Sequence, residues 1–388
     1  MKICIVTHNV IRGDGQGRVN YEITREALRR GHAVVLVADQ VDPALCAAGA
    51  DWIPARPRLR RVNLLKVWEF ARRADRILDG LAGRVDLVHA YGFTTSRTHH
   101  VNTAQFVHDA WRRSPFHVAR TNRNLYGVYQ GTYSALNARW ERAAYARARH
   151  VVAASGRVKS ELVALGVPDG RVEVIFNGVD PGEFAPGTAA ADRTALGLPA
   201  AVASADVPLA LFAGDIRTNR KNLDTVLRAL PLCPSVHLAV VGSLENSPYP
   251  ALAARLGVMK RVHFLGFRRD VADLMRACDC FVFPSRYEPF GIVVLEAMAC
   301  GKPVITAANV GAAEIITPEA GIVLPDGEDA RALANALQSL LGPTAASRRA
   351  QMGTQARAIA EQHSWAHMAG KYLACYASMV AGGEVRAA

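Results

Sequence analysis

Short apolar runs, each the length of one buried strand, alternate with longer amphipathic segments along the whole chain. The runs are Ile3–Val6, Ala33–Ala38, Leu87–Ala90, Val151–Ala154, Leu209–Ala213, His237–Val241, Val262–Leu265, Cys280–Phe283 and Pro303–Thr306. Continuous apolar strands are covered on both faces. Spaced by helix-length stretches, they imply parallel sheets with helical crossovers, an α/β fold. A Pro/Gly/Ala-rich stretch from Ala185 to Pro208 separates two such series and reads as a linker. Each half opens with a strand that runs into a glycine-containing turn: Ile3–Thr7 before Gly13, Gly15 and Gly17, and Leu209–Ala213 before Gly214. Two Rossmann-like domains are therefore expected, 1–185 and 208–364, joined by residues 186–207 and facing each other across a deep cleft. In such sheets ligands sit outside the carboxyl ends of the strands.

Composition removes several classes. Half of the 388 residues are apolar and 21% are charged, which excludes a disordered chain. No apolar run approaches the roughly 18–20 residues that span a bilayer, and the N-terminal Met1–Val6 reads as a strand, not as a signal peptide. The seven cysteines are scattered without Cys-x-x-Cys, which argues against a disulfide framework or structural zinc and for a cytoplasmic location. The net charge of +12 is lopsided: residues 1–150 hold 24 basic against 12 acidic side chains, and residues 151–388 hold 22 of each. The excess concentrates in residues 56–76 and 112–149, interleaved with Trp68, Phe70, Trp111, Tyr126, Tyr129 and Tyr133. Three readings stay open: a solvated basic surface, a patch for anionic lipid heads at the inner face of the plasma membrane, and a nucleic-acid surface. No nucleic-acid motif accompanies the charge, so nucleic acid is not expected as a partner.

Four pieces carry chemistry. In Pro284–Ile305 a buried strand runs through a turn into a helix from about Phe290, stopped by Gly301 and Pro303. A helix start binds anions, and Gly291 lets backbone approach a ligand. Glu288, just before the helix, and Glu296, two turns on, can address one ligand, since a carboxylate accepts hydrogen bonds from vicinal hydroxyls. The second piece, Gly214–Leu223, sets Arg217, Arg220 and Lys221 after a strand, as a diphosphate requires. The third, Gly13-Asp14-Gly15-Gln16-Gly17, matches only part of a dinucleotide fingerprint and implies a tight turn. The fourth is His108 at a strand end. For each piece an ordinary structural role remains open.

Taken together, these residues resemble a known family. Glu288-x7-Glu296 followed by Ala297-Met298-Ala299-Cys300-Gly301-Lys302-Pro303-Val304 is similar to the donor-site signature of retaining glycosyltransferase family 4, the glycosyl transferases group 1 of the GT-B fold. Asn177-Gly178-Val179-Asp180, Gly214 to Lys221, Val262 to Phe267 and Gly321 to Pro325 resemble further family segments. The resemblance implies transfer of a sugar from a UDP-, GDP- or ADP-sugar to a glycan, lipid-linked or small-molecule acceptor, with retention of configuration. Glu296 would hold the ribose, Glu288 with the backbone of Phe290 and Gly291 the sugar hydroxyls, and Ile292 would belong to the same donor site. Lys221 with Arg217 or Arg220 would neutralise the diphosphate, and Phe267 would lie near the base. Gly15 and Gly17 would close over the phosphates, and His108 would lie by the transferred sugar. The helical spacing of Trp365, Met368, Tyr372 and Tyr376 would be the family's helix that crosses back onto the first domain. Two residues depart from the pattern: Asp215 stands where arginine commonly follows the glycine, and Asn222 where glycine commonly follows the lysine. No Asp-x-Asp occurs, so neither a metal nor a cofactor is expected, and the basic side chains would supply the metal's charge. The competing functions are a nucleotide-sugar epimerase or phosphorylase on the same scaffold, and a catalytically silent nucleotide-sugar-binding protein.

Overall fold

The computed structural model describes residues 1–13, 15–187 and 192–384. Asp14 of the first glycine turn, residues 188–191 of the expected linker and the last four residues lie outside the described residues. The chain forms two compact units, Met1–Gly178 with Trp365–Ala388, and Val179–Ser364.

The first unit is a seven-stranded sheet of β1 (Lys2–Val10), β2 (Ala33–Val41), β3 (Asp51–Pro54), β4 (Leu87–Tyr91), β5 (His99–Ala104), β6 (Ala148–Ala153) and β7 (Val172–Val174), in the order β3-β2-β1-β4-β5-β6-β7. All its pairs are parallel. Ile3, Cys4, Ile5 and Val6 are fully buried, as expected of a strand covered on both faces. The strands that the apolar runs do not reveal are β3, β5 and β7. Of these, β5 is central yet polar. Its Asn102 and Thr103 are buried because partners await them: Asn102 Nδ2 donates to Gly92 O at 3.0 Å, and Thr103 Oγ1 lies 2.8 Å from His89 Nε2.

The helix Trp365–Glu384 belongs to this unit. Trp365, Met368, Tyr372 and Tyr376 form its buried stripe. The Tyr376 hydroxyl lies 2.5 Å from His89 Nδ1, and Thr103 Oγ1 donates to the Tyr372 hydroxyl at 3.2 Å. Burial, with a lesser contribution from His99, lowers the His89 pKa to about 3.

The second unit holds β8 (Leu209–Ala213), β9 (His237–Val241), β10 (Val262–Gly266), β11 (Cys280–Phe283), β12 (Val304–Ala307) and β13 (Gly321–Leu324). Their order is β10-β9-β8-β11-β12-β13, again wholly parallel. Strand order reverses between β8 and β11, the place where doubly wound sheets receive ligands.

The chain changes unit after Gly178 and again after Ser364, and a parallel bridge joins Val179 to Ser364. The described part of the expected linker is packed into the second unit. Arg193 is buried and donates to the carbonyls of Val202, Ser204 and Val207 at 3.3, 2.8 and 2.8 Å, with Asp279 at 3.1 Å. A Pro/Ala-rich composition marks irregular backbone, and here a buried guanidinium organises that backbone instead of leaving it loose.

Candidate functional site

The loops after β8 and β11 meet at the reversal point of the second sheet. After β8 the chain passes Gly214, makes a short 3-10 turn over Asn219–Lys221 and enters the helix Leu223–Ala229. The joint is Asn222, at φ 61°. Among residues with a side chain, asparagine tolerates this left-handed conformation best. Its amide then ties three loops together. Nδ2 donates to Pro284 O at 3.0 Å, Gly327 O at 2.8 Å and Glu328 Oε1 at 2.9 Å, and Oδ1 accepts from Thr225.

The second loop, Pro284–Gly291, is held on both sides. Arg286 N donates to Arg220 O at 2.9 Å, and Ser285 Oγ donates to the same carbonyl at 3.0 Å. On the far side Gly311 N donates to Glu288 O at 2.9 Å. The helix of this loop begins at Ile292, two residues later than expected, because Gly291 sits at φ 95° and breaks the helical path. No side chain caps the helix start. Glycine is required at Gly291, where a β-carbon would lie 3.0 Å from Val310 Cγ1 and 3.2 Å from Glu288 Cγ.

These loops bring Lys221 to Glu288. The lysine ammonium donates to Glu288 Oε2 and stands 5.1 Å above the Phe283 ring. Arg220 Nη1 lies 3.9 Å from the same carboxylate oxygen and donates to Tyr287 O at 3.3 Å. Burial lowers the Lys221 pKa most, the Glu288 charge opposes it, and the Arg220 charge adds to the lowering. The pair is mostly shielded from water, with side-chain exposures of 13% and 15%. In this state Lys221 and Glu288 satisfy each other.

The other expected residues of this unit take varied places. Phe290 is buried, while Ile292 and Glu296 are half-buried on the helix Ile292–Ala299. Arg217 is ion-paired with Asp215 at 2.9 Å, so the residue that departs from the family pattern engages the neighbouring arginine. Phe267 stands 75% exposed after β10, leaving a ring face open for stacking.

In the first unit Gly15 begins the helix Gly15–Arg29 and Gly17 is buried in its first turn, so the expected tight turn is a helix start. Asn20 pins this helix to the end of β1, its Nδ2 donating to Thr7 Oγ1 at 2.8 Å and Asn9 O at 2.9 Å. His108 begins the helix His108–Arg113. Glu141 accepts from His108 N at 3.0 Å and lies 2.6 Å from its Nδ1. A carboxylate at Nδ1 favours a proton on that nitrogen and holds the ring in place. Sequence spacing gave no hint of Glu141, which stands 33 residues away. Among the described residues one trio gathers metal-ligand atoms within 4.8 Å of one another, His150, Glu173 and Cys375. Burial pushes the Cys375 thiol up to about 12, with the Glu173 charge adding to the rise.

Comparison with known proteins now decides the lineage. Residues 13–183 match the family model described as Glycosyltransferase Family 4, and residues 200–359 match Glycosyl transferases group 1. The chain belongs to this glycosyltransferase family. Among curated relatives of this family, a D-inositol 3-phosphate glycosyltransferase from Xylanimonas cellulosilytica is 37% identical over 242 residues, covering 58% of this chain and 56% of the relative. One of the same name from Stackebrandtia nassauensis is 38% identical over 230 residues, covering 55% and 50%. The chain thus spans about half the length of the curated relatives it matches. Solved structures similar to it include sucrose-phosphate synthase from Thermosynechococcus elongatus, with TM-score 0.78, 21% identity and coverage of 98% and 100%. The lipopolysaccharide-biosynthesis glycosyltransferase WaaG follows at 0.74, 22%, 95% and 98%. Anabaena HepE in complex with UDP and glucose follows at 0.71, 24%, 97% and 99%. These likenesses establish the GT-B fold for the chain.

Within this family fold, one residue of the second loop escaped the motif reading. Arg286 is almost fully buried. It donates to Asp224 at 2.9 and 2.8 Å, to Glu328 at 2.8 and 2.7 Å, and to Asn219 O at 2.7 Å. It fastens the Lys221 loop to the Glu288 loop. Arg286→Ala should destabilise the second unit by about 3 kcal/mol, the lower end for a broken buried ion pair, because Glu328 loses its cation and Asp224 keeps only Arg228 at 3.1 Å. Urea unfolding of the variant measures this, and a loss below about 1 kcal/mol would show that the clamp carries no weight.

Proposed function

We propose that this protein is a glycosyltransferase that moves a sugar from a nucleoside-diphosphate sugar to a glycan, lipid-linked or small-molecule acceptor. The observation that carries the reading is the Lys221–Glu288 pair beside an uncapped helix start at the reversal point of the second sheet. Family membership, and UDP and glucose in the HepE neighbour, support it.

The chemistry follows from charge. As the glycosidic bond to phosphate breaks, the sugar gains oxocarbenium character and the diphosphate gains negative charge. Prearranged cations stabilise that charge without reorganisation. Lys221 would leave Glu288 for the diphosphate, helped by Arg220 and Arg217 and by the N–H groups at Ile292. Glu288, with Phe290 and Gly291, would then accept hydrogen bonds from sugar hydroxyls, and Glu296 from the ribose. Phe267 would stack on the base. The proposal further assigns His108 to the transferred sugar and Gly15 and Gly17 to the phosphates. It includes retention of configuration and independence from metal, with the basic side chains neutralising the leaving group.

Relatives named for D-inositol 3-phosphate speak for a small-molecule acceptor, and the lipopolysaccharide neighbour for a lipid-linked one. No helix among the described residues is long and apolar enough to cross a membrane. The exposed Leu125, Tyr126 and Val128, close in sequence to Arg120 and Arg123, favour peripheral contact with an anionic membrane. UDP-, GDP- and ADP-sugars should be incubated with and without candidate acceptors. Release of nucleoside diphosphate together with a glycosylated product is expected, and it should persist after exhaustive chelation. Conversion of the nucleotide sugar without any acceptor would instead make the protein an epimerase. Activity that disappears on chelation and returns with a divalent cation would overturn metal independence.

A further inference from the structure

The basic excess of the first unit has a structural focus that the donor chemistry does not use. The helix His108–Arg113 and the long helix Leu125–Arg147 flank, with Leu165, a half-open cavity of about 390 Å³ whose arginines are exposed to solvent. Four arginines line it: Arg112 and Arg113 from the first helix, and Arg139 and Arg142 from the second. One carboxylate answers them. Asp109 is buried at the cavity and takes Arg112 at 3.0 Å and Arg113 at 2.6 Å. Arg139 and Arg142 have no ion pair among the described residues. The cavity therefore gathers four positive charges against one negative. Like charges held around a concave site repel each other, and a bound anion relieves that repulsion. Guanidinium forks grip carboxylates and phosphates alike in bidentate fashion, and a phosphate dianion, with more acceptor oxygens and twice the charge, answers more of the four.

We propose that this cavity is a binding site for a phosphate monoester, with Arg139 and Arg142 as its free forks and Asp109 holding Arg112 and Arg113 in place. The cavity belongs to the first unit and uses none of the residues assigned to the donor, so it goes beyond the donor reading. A phosphate monoester can arrive on a small molecule or on a lipid head, and the two sources are separable by experiment. Binding of glucose 6-phosphate by calorimetry, and co-sedimentation with phosphatidylcholine vesicles doped with phosphatidic acid, should be measured on the full chain. The parent protein, R139Q/R142Q and the charge-matched control R331Q/R348Q are compared. In R139Q/R142Q the affinity for whichever probe binds should fall about tenfold or more, as expected on loss of charge-assisted contacts. The control should stay within about twofold, with no change in Tm in either variant. Binding of glucose 6-phosphate alone identifies a soluble ligand, and binding of the vesicles alone a lipid head. Absence of binding to both probes, or an equal loss in the control, overturns the site. UDP affinity, measured in parallel, should be unchanged in R139Q/R142Q, so that failure here is distinguishable from failure of the donor assignment.

Discussion

Replacing Lys221 by alanine is expected to weaken nucleoside-diphosphate binding by about 10- to 100-fold, equivalent to about 1.5–3 kcal/mol for one charge-assisted contact. The argument rests on what surrounds the lysine. It is held against Phe283 and Glu288 in a site where burial disfavours its charge. A dianionic diphosphate would restore that charge more fully than one shared carboxylate, so binding should favour the protonated lysine. Removing the ammonium takes away the cation and also leaves Glu288 facing the incoming phosphates with only Arg220 nearby, at 3.9 Å. Transfer should fall further than binding, because charge on the leaving group is greatest in the transition state. Calorimetry with UDP, GDP and ADP, paired with sugar-transfer rates, tests both parts. Lys221→Arg keeps the charge and should recover part of the affinity. If all three nucleotides bind the alanine variant as they bind the parent, Lys221 does not contact the diphosphate.

Mild acid is expected to destabilise the first unit strongly, through buried imidazoles of which His89 and His99 are the most hidden. Burial lowers the His89 pKa to about 3 and that of His99 to about 4, against an ordinary 6.5. Both rings are almost wholly out of water. His89 is faced by Tyr91, Tyr372, Tyr376 and Thr103, none of which carries negative charge at neutral pH. The folded-state values lie below the unfolded ones, so the unfolded chain takes up protons first as pH falls. Stability is therefore full above pH 6.5 and drains away between 6.5 and about 3 to 4. At about pH 5 each ring contributes a loss of about 2 kcal/mol, together about 4, against a total stability of about 5–15 kcal/mol for a typical domain. Thermal unfolding followed from pH 7 to pH 5 should show this slope, and His89→Gln should remove only the share of that ring, about 2 kcal/mol at pH 5, since His8 is lowered to about 4 as well. A flat profile, or an unchanged slope in the variant, would show that these imidazoles do not control acid lability.

The two cases differ in how legible they are in the sequence. Lys221, Glu288, Gly291 and Glu296 lie within short motifs, each behind an apolar run that announces its strand. Local pattern therefore placed Lys221, Glu288 and Gly291 on loops at strand ends, and Glu296 on the helix that follows. His89 and His99 carry no such mark. His89 matters because β5, a strand too polar to read as one, pairs beside β4 and because a helix almost 290 residues later delivers Tyr376 to its ring. Glu141 behind His108 and Arg286 between Asp224 and Glu328 are hidden for the same reason. A side chain's partner across tens of residues depends on chain reversal, which hydrophobic periodicity does not encode.

The alternation of apolar runs with helical stretches was enough to dictate parallel sheets, since a strand covered on both faces must be apolar throughout and needs a crossover to its neighbour. The glycine and the left-handed asparagine at the loop joints were set by residue type as well, because few side chains accept those backbone angles. What awaited the folded molecule was the choice of partners: which carboxylate meets Lys221, which of eight arginines between 112 and 149 converge on one cavity, and where the chain passes from one unit to the other. Those outcomes depend on distances between segments remote along the chain. Such distances are fixed by strand order and helix packing acting together, and no single window of residues contains them.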